Sequence, residues 1–409
     1  MRVLHLNTHT CGGSYECAAL LCEALLAEGI ESRLCCKTTS RAPGFKRFLD
    51  RAVRRSYVSL STEPWHGTRR VLCPPAPEEL DGIDVVHLHT VADWFNVPRW
   101  LETLPGRIGV VVSLHDMWHF TGGCFLYRGC NLYSDTCAPC PILKPPLNRG
   151  LAKDEHRRKL KVYRDRRVQF VANSQWLANL AKRSPIVRAC GGARAIPPGI
   201  DTTVFTPRDK IQCRRELRLP TDAFVIAAGA VSLSDTNKNV SWLLEQLGRL
   251  PERQNLMVLL AGEGAVEVPT GLNIRLIGGI SDRQKRAAIF GAADVFVSAS
   301  LMETYGLTLI EAMSCGTSVV AFRTGGIPEA VPDGQAGILC ELSDGGALQS
   351  AVEKLRNSCE LRHQLGGAAS HLVLARNDKA KFTGAFARVY EECLQLGKTP
   401  SSDRLAIAV

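Results

Sequence analysis

Short apolar runs alternate with longer stretches of helical periodicity along the whole chain. The clearest runs are MRVLHLNT, DVVHLHT, RIGVVVSLHD and VQFVANS in the first half, and AFVIAAGAV, NLMVLLAGEG, DVFVSAS and TSVVAF in the second. Near-continuous apolar runs of this length are typical of strands that are buried on both faces of a parallel sheet. Because helical stretches separate them, the pattern predicts βαβ units and an α/β fold.

The pattern restarts in the middle of the chain, after the proline- and glycine-containing segment RAIPPGIDTTVFTPRD. Such a segment is typical of an interdomain linker, and 409 residues are enough for two domains. In open parallel sheets, ligands bind beyond the carboxyl ends of the strands. We predict an N-terminal Rossmann-like domain over residues 1–200, a second one over 207–380, a closing helix over 381–396 and a tail over 397–409.

Candidate binding residues follow two strands of the predicted N-terminal domain. Gly12 and Gly13 follow the first strand and precede a helix, which lets backbone N–H groups approach a phosphate. A tight turn without a ligand would need the same glycines. His115 and Asp116 come directly after a buried strand, where an imidazole can bond to a substrate hydroxyl or a developing charge. A structural histidine is the alternative.

The most informative segment, residues 294–322, lies in the second half. Its strand is followed by a loop that carries Glu303, by Gly306 at the start of a helix, and by Glu311 on that helix. Two carboxylates eight residues apart suit two different hydroxyl-bearing parts of one ligand, with helix-start amides on a phosphate between them. Two solvated glutamates are the alternative.

The string ETYGLTLIEAM from Glu303, followed by TGGIPEAVPDG up to Gly334, strongly resembles glycosyltransferase family four. That family consists of retaining enzymes of the GT-B fold, in which two Rossmann-like α/β domains face a central cleft, and it uses nucleotide-sugar donors. The resemblance extends from Gly12 to the closing helix. Residues 115–141, which begin HDMWHFTGGC, resemble the subgroup that makes bacterial exopolysaccharides of the colanic-acid type.

The resemblance implies a role for each matching position. Glu303 matches the residue that contacts the donor sugar, and His115 the one that contacts this sugar near the reacting carbon. The remaining matches are Lys238 for the phosphates, Glu311 for the ribose hydroxyls, the amides of Tyr305, Gly306 and Leu307 for sugar and phosphates, and Gly12 and Gly13 for the pyrophosphate loop. An arginine that the family often places before the lysine is replaced here by Ser232.

The partners implied are a UDP- or GDP-sugar donor and a saccharide acceptor that is linked to a polyprenyl diphosphate, and no catalytic metal is expected. A nucleotide-sugar epimerase of similar architecture and an inactive scaffold of the same family are the alternatives. A dehydrogenase would want G-x-G-x-x-G after the first strand, which CGGSYEC does not match. A nucleic-acid binder would leave Glu303, Glu311 and Lys238 unexplained.

The excess of positive over negative charge is confined to the first half of the chain. Residues 1–200 contain 28 Lys and Arg against 17 Asp and Glu, and this excess accounts for the net charge of +10 of the whole chain. Residues 44–56 have the pattern of a basic amphipathic helix, and residues 149–167 hold nine Lys and Arg against three acids. Such segments suit anionic lipid headgroups, although solvated helix faces are the alternative. We expect peripheral association with the inner face of the cytoplasmic membrane.

Most of the 16 cysteines lie singly in apolar segments, which is typical of a reducing compartment. The start MRVLHLNT reads as a strand rather than a secretion signal, so we expect a cytoplasmic protein. Four thiols are clustered with the spacing C-x5-C-x6-C-x2-C, at Cys124, Cys130, Cys137 and Cys140. They could bind a structural zinc ion; buried thiols, a disulfide pair and an iron–sulfur cluster are the alternatives.

Overall fold

A computed structural model describes residues 1–37, 65–68, 74, 75 and 77–398. The chain divides into two compact units. The first unit comprises Met1–Ile196 and the segment that begins at Phe382, and the second comprises Pro197–Lys381. The predicted basic helix over residues 44–56 lies outside the described residues, as does the predicted tail beyond Lys398.

A six-stranded parallel sheet with the order β2-β1-β3-β4-β5-β6 forms the first unit. Its strands are β1 (Arg2–Asn7), β2 (Glu31–Cys36), β3 (Val85–Leu88), β4 (Gly109–Leu114), β5 (Gln169–Ala172) and β6 (Ala193–Ala195). The helices described between them are α1 (Gly13–Ala27), α2 (Val97–Thr103), α3 (Leu151–Asp165), α4 (Gln175–Lys182) and α5 (Pro185–Arg188). The apolar runs of the sequence are the buried central strands, as predicted.

The second unit holds another six-stranded parallel sheet, with the order β12-β11-β10-β7-β8-β9. Its strands are β7 (Phe224–Ser232), β8 (Leu256–Glu263), β9 (Ile274–Gly278), β10 (Val295–Ser298), β11 (Ser318–Phe322) and β12 (Ile338–Cys340). Its helices are α6 (Lys210–Glu216), α7 (Val240–Leu247), α8 (Arg283–Ala292), α9 (Leu307–Ser314), α10 (Ile327–Ala330), α11 (Gly345–Asn357) and α12 (Cys359–Arg376). Two parallel sheets with connecting helices confirm the predicted fold class.

The last described helix, α13 (Lys379–Lys398), returns to the first unit. Its apolar face packs on one side of the first sheet, where Phe386 and Tyr390 contact the cluster that contains Val85 and Val111. Periodicity predicts this helix, but it does not say which sheet the helix covers. None of the described helices combines the length and the apolar character that crossing a bilayer requires.

Candidate functional site

Lys238 and Glu303 form an ion pair in the second unit. Lys238 lies in the turn between β7 and α7, and Glu303 lies in the loop after β10. The lysine Nζ donates to Glu303 Oε1, and the two side chains are 32% and 18% exposed. Burial alone would lower the pKa of Lys238, but the neighbouring Glu303 carboxylate outweighs burial and raises it. Two residues that the sequence assigned to phosphate and sugar are therefore brought together.

Asn237 holds the two loops of this pair in place. Its backbone carbonyl accepts from the N–H of Leu301 at 2.8 Å, and its side-chain amide donates to the carbonyl of Met302 at 2.9 Å. Asn237 could not be singled out from the sequence, because an asparagine in a polar turn such as SDTNKN is ordinary.

The loop after β11 also positions Glu303. The N–H of Gly326 donates to the Glu303 carbonyl at 2.9 Å. At Gly325 the backbone has φ +56°, and a Cβ built there would lie 1.9 Å from the same carbonyl oxygen. Only glycine allows this approach, which gives a physical reason for the TGG motif.

Gly306 begins α9 with a left-handed backbone, φ +97°. A Cβ at this position would lie 2.7 Å from Leu309 Cδ1, so conformation and packing both favour glycine. The first N–H groups of a helix have no intrahelical acceptor, and the helix dipole favours an anion there. The start of α9 at Leu307, four residues after Glu303, is thus suited to bind a phosphate.

Tyr305 secures this helix start. Its side chain is 3% exposed, and the Asn377 side-chain amide donates to its hydroxyl at 3.0 Å. The same amide donates to the carbonyl of Pro198 at 2.8 Å. The phenol therefore has a structural partner, and only the backbone amide of Tyr305 fits the role that the resemblance implies.

Glu311 is a buried residue of α9, with a side chain that is 4% exposed. Arg286 of α8 donates to its Oε1 at 3.0 Å and lies 5.7 Å from the Phe205 ring centroid. The sequence predicted Glu311 to be a solvated or ribose-binding carboxylate, and it did not predict Arg286 as its partner. A buried carboxylate needs a cation or hydrogen-bond donors, which was the available signal for a partner.

His115 comes directly after β4 in the first unit and is one end of a row of hydrogen-bonded histidines. Its Nε2 lies 3.1 Å from Nδ1 of His89, and His89 Nε2 lies 3.2 Å from Nδ1 of His5. Burial lowers the pKa of His5 to about 3 and that of His115 to about 4. The sequence singled out only His115, although histidines inside apolar strands were a signal for the other two.

The other predicted residues of the first unit lie after β4 and at the start of α1. Asp116 Oδ1 accepts from the Trp118 N–H at 2.7 Å, and burial raises the pKa of Asp116 to about 6. Gly12, the residue before α1, has φ +87°. No described atom lies within 4 Å of a Cβ built on Gly13, whose φ lies outside the left-handed region. Neither described packing nor backbone conformation therefore requires glycine at Gly13.

The four clustered cysteines, Cys124, Cys130, Cys137 and Cys140, line one cavity of about 210 Å³. Cys137 Sγ accepts from the Gly122 N–H at 3.1 Å. No disulfide is present among the described cysteines. Within the described ranges, the group of potential metal ligands whose donor atoms all lie within 4.8 Å is His5, His87 and His89, not three of the cysteines. The thiols share a cavity, and zinc binding there stays a prediction.

The basic segment of residues 149–167 is mostly α3, and one of its cations is an interior group. Lys159 is 0% exposed, donates to the carbonyls of Trp118 and Thr121 at 2.5 and 3.1 Å, and has a pKa that burial lowers to about 8. Arg166, which is partly buried, donates to three carbonyls, including Leu104 at 3.0 Å. For Lys159 the expectation of a solvated or lipid-facing side chain is wrong.

Comparison with protein-family models finds a match in each unit. Residues 11–204 match the family described as Glycosyltransferase Family 4, and residues 224–358 match the family described as Glycosyl transferases group 1. The chain belongs to glycosyltransferase family four. The subgroup that makes exopolysaccharides is a finer assignment, which these matches do not address.

Curated relatives of this family-four glycosyltransferase include D-inositol 3-phosphate glycosyltransferases. The protein of Stackebrandtia nassauensis is 36% identical over 194 residues, which are 43% of each chain. D-inositol 3-phosphate glycosyltransferase 2 of Catenulispora acidiphila is 32% identical over 225 residues, which are 50% of this chain and 52% of the relative. The chain thus matches about half of the length of these relatives.

Solved structures share the fold across nearly the whole glycosyltransferase. Sucrose-phosphate synthase of Thermosynechococcus elongatus has a TM-score of 0.68 at 18% identity, covering 97% of this chain and 99% of its own. A Rickettsia africae glycosyltransferase has a TM-score of 0.65 at 15% identity, covering 96% of this chain and 98% of its own. Anabaena HepE in complex with UDP and glucose has a TM-score of 0.62 at 15% identity, covering 96% of this chain and 99% of its own. The fold is of the GT-B class.

Proposed function

We propose that the protein transfers a hexosyl group from a nucleotide-sugar donor to an acceptor hydroxyl, with retention of anomeric configuration. The observation that carries the proposal is the Lys238–Glu303 ion pair beside the glycine-started helix α9. Without a donor the two charges neutralise each other. Donor binding exchanges partners: Lys238 turns to the phosphates, and Glu303 accepts hydrogen bonds from sugar hydroxyls.

The proposed chemistry matches this charge arrangement. Breaking a sugar–phosphate bond leaves an oxocarbenium-like centre beside a departing phosphate anion, so oriented cations and amides on the phosphates lower the barrier. Lys238 and the first amides of α9 supply them, and no catalytic metal is part of the proposal. Because Glu303 would accept hydrogen bonds from the sugar hydroxyls in the donor complex, we favour same-face attack within an ion pair over a double displacement.

UDP-sugars are the first donors to test and GDP-sugars the second. Anabaena HepE, a fold neighbour, has been solved in complex with UDP-glucose. Ser232, which stands where the family often has an arginine, leaves Lys238 and backbone amides to hold the diphosphate. We therefore expect donor affinity to depend strongly on Lys238.

Two acceptor classes follow from different observations. A polyprenyl-diphosphate-linked saccharide, in exopolysaccharide or surface-glycan synthesis at the membrane, is supported by the resemblance of residues 115–141 and by the 28 Lys and Arg of residues 1–200. An inositol phosphate is supported by the names of the curated relatives. Both acceptors carry phosphate, which suits a basic first half.

The experiment combines donor screening with transfer assays. A matching nucleotide sugar should raise the melting temperature by several degrees, because it binds only the folded protein. Lys238→Met and Glu303→Gln should each reduce transfer by about 100-fold or more while the protein stays folded. Lys354→Met, on an exposed position of α11, is the matched control. Near-normal turnover in either site variant would contradict the proposal.

The product of the transfer reaction identifies the acceptor. The active donor is offered with inositol 3-phosphate in one reaction and with a polyprenyl-diphosphate saccharide in liposomes in another. Transfer to the lipid-linked acceptor, together with flotation on anionic but not neutral vesicles, would support the membrane role. Transfer to inositol 3-phosphate alone would overturn it.

We also propose a structural zinc ion at Cys124, Cys130, Cys137 and Cys140. Support comes from the shared cavity, and a hydrogen bond from the Cys124 thiol lowers the pKa of Cys140 while it raises that of Cys124. Zinc binds thiolates, so the lowered pKa of Cys140 favours it, whereas burial raises the pKa of Cys137. The sulfurs would have to draw together around the ion. Metal analysis of the purified protein should find about one zinc per chain, and iron or no metal would reject the proposal.

A further inference from the structure

A chain of hydrogen bonds runs from Ser32 to His115 through two buried histidines of the first unit. Ser32 Oγ lies 3.0 Å from His5 Nε2, His5 Nδ1 lies 3.2 Å from His89 Nε2, and His89 Nδ1 lies 3.1 Å from His115 Nε2. We call these four residues the imidazole chain. Among these four, only His115 is a residue for which the resemblance implies contact with the donor sugar.

Burial fixes the charge of the inner members. His5 and His89 are 0% and 2% exposed, and burial keeps the pKa of both well below the usual value for histidine. Both rings are therefore neutral at neutral pH. A neutral imidazole has one N–H donor and one acceptor nitrogen, so a ring with hydrogen bonds at both nitrogens donates one and accepts the other.

This rule leaves two arrangements for the whole chain. If Ser32 donates to His5, every ring carries its proton on Nδ1 and each ring donates toward His115. If Ser32 accepts from His5, every ring carries its proton on Nε2 and each ring donates toward Ser32. The three histidines must therefore share one tautomer, and a change in one ring requires a change in all of them.

A buried metal ion is the main alternative, because His5, His87 and His89 have donor atoms within 4.8 Å of one another. The hydrogen bonds argue against it. His87 contacts the Tyr390 hydroxyl through Nδ1 and the Ser113 hydroxyl through Nε2, each at 2.8 Å. All six ring nitrogens of these three histidines already have partners, and an ion would break at least two buried hydrogen bonds.

We propose that His5 and His89 are positioning residues that couple the tautomer of His115 to that of the buried rings and so decide whether its Nδ1 offers a donor or an acceptor. The catalytic meaning rests on the proposed function together with the role that the resemblance implies for His115, which is contact with the donor sugar near the reacting carbon. A sugar hydroxyl can donate or accept a hydrogen bond, but a given tautomer of His115 allows only one of the two. Losing the chain removes the coupling, so the tautomer of His115 no longer follows that of the buried rings.

The coupling can be tested without any activity. Long-range ¹H–¹⁵N spectra of the full-length protein with ¹⁵N-labelled histidine distinguish the two neutral tautomers. His119 is an internal reference, since its Nε2 faces the backbone carbonyl of His89 at 3.0 Å and must donate to it. We expect His5, His89 and His115 to show the same tautomer. Mixed tautomers or a protonated ring at neutral pH would overturn the proposal.

Kinetics test the consequence for catalysis. His89→Leu should lower kcat by about 10- to 100-fold with little change in the donor KM, and it should change the tautomer signal of His115. His89→Gln, whose amide can donate and accept, should restore part of kcat. His371→Ala, on an exposed position of α12, is the control and should leave kcat and KM unchanged.

Failure of this proposal and failure of the proposed function give different results. A wild-type kcat in folded His89→Leu, with an unchanged His115 signal, overturns the positioning role and leaves the transferase proposal standing. If His89→Leu does not fold, Ser32→Ala at the partly buried end of the chain replaces it, with the same expected loss in kcat. No transfer by the wild-type protein with any donor would overturn the catalytic part, whereas the spectra still decide the tautomer coupling.

Discussion

The two units bury polar groups in opposite ways. In the first unit the buried polar groups include four neutral histidines, His5, His87, His89 and His119, bonded to one another, to hydroxyls or to backbone. In the second they include charged pairs such as Arg286–Glu311. Buried neutral imidazoles lose stability relative to the unfolded chain once the pH falls below the solution pKa of histidine, because the unfolded chain then binds their protons, whereas carboxylate pairs persist until the carboxylate is protonated.

Asp294 is the centre of the charged arrangement in the second unit. Arg214 donates to its Oδ2 at 2.6 Å, Lys210 to its Oδ1 at 2.8 Å, and the Val225 N–H to its Oδ2 at 2.8 Å. Burial alone would raise the pKa of Asp294, but these partners outweigh burial and hold it below its usual range. The two units should therefore respond to acid in different pH ranges.

Acidification should produce the largest difference between the units. Burial lowers the pKa of His5 and His119 to about 3, so between pH ~6.5 and pH ~3 only the unfolded chain binds their protons. Stability is fully present above pH ~6.5 and falls as the pH drops, by up to about 1.4 kcal/mol per pH unit for each such histidine. The raised pKa of Asp116 has the opposite effect on stability, because the folded protein then binds a proton more readily than the unfolded chain. It offsets the loss of stability from about one histidine.

Hydrogen exchange measured at pH 7.5 and pH 5.0, corrected for the intrinsic rate, reports each unit separately. We expect protection to fall in the strands of the first unit and to persist in those of the second, where the lowered pKa of Asp294 keeps its pairs charged until below pH ~4. Equal loss in both units would contradict the comparison.

Removing the central carboxylate should be the most damaging single change in the second unit. Asp294→Ala leaves Arg214, whose side chain is 4% exposed, as an unpaired buried charge, which costs about 3–5 kcal/mol. Urea unfolding of the full chain, followed by hydrogen exchange in each unit, measures the loss. Glu245→Ala is the matched control, because its pair with Arg249 is more than half exposed and should contribute less than about 1 kcal/mol. A small loss for Asp294→Ala would show that the pair is dispensable.

Gly325 and Gly13 allow a structural requirement for glycine to be distinguished from a requirement for ligand binding. Gly325→Ala would push a Cβ against the Glu303 carbonyl and should cost about 1–3 kcal/mol together with a large loss of transfer. Gly13→Ala meets open space among the described atoms and should leave stability within about 1 kcal/mol. A weaker donor affinity in Gly13→Ala, measured by calorimetry, would support the pyrophosphate loop, and unchanged affinity would count against it.

The fold was predictable because its signals are local. Buried parallel strands are continuous apolar runs, and the glycine and proline residues between them mark the connections. The site was predictable only where a motif was present, as at Glu303 and Lys238. Asn237 contacts the loop that carries Glu303, and Arg286 contacts Glu311. Both contacts join residues that are far apart in the sequence, and no local pattern predicts them.

The hydrogen bonds among the histidines of the first unit could not be predicted from the sequence either. Each histidine is visible in the sequence, but the register that places His5 of β1 beside His87 of β3 joins strands nearly 80 residues apart. The return of α13 to the first unit, which brings Tyr390 to His87, spans 303 residues. Such pairings depend on which strands become neighbours in the sheet, and periodicity carries no information about that order.

A modest effect should come from the contact between Tyr390 and His87, and it tests whether the histidine hydrogen bonds of the first unit need every hydroxyl. Tyr390→Phe keeps the ring in its apolar contacts but leaves His87 Nδ1 without its partner at 2.8 Å, which should cost about 1–2 kcal/mol. Urea unfolding measures the change, and Tyr127→Phe, which removes a hydroxyl bonded to Asn131 at 3.2 Å nearer the surface, should cost less. Equal effects would mean that buried imidazoles tolerate a missing neutral partner. A larger effect for Tyr390→Phe would mean that the first unit, like the charged second one, depends on complete pairing.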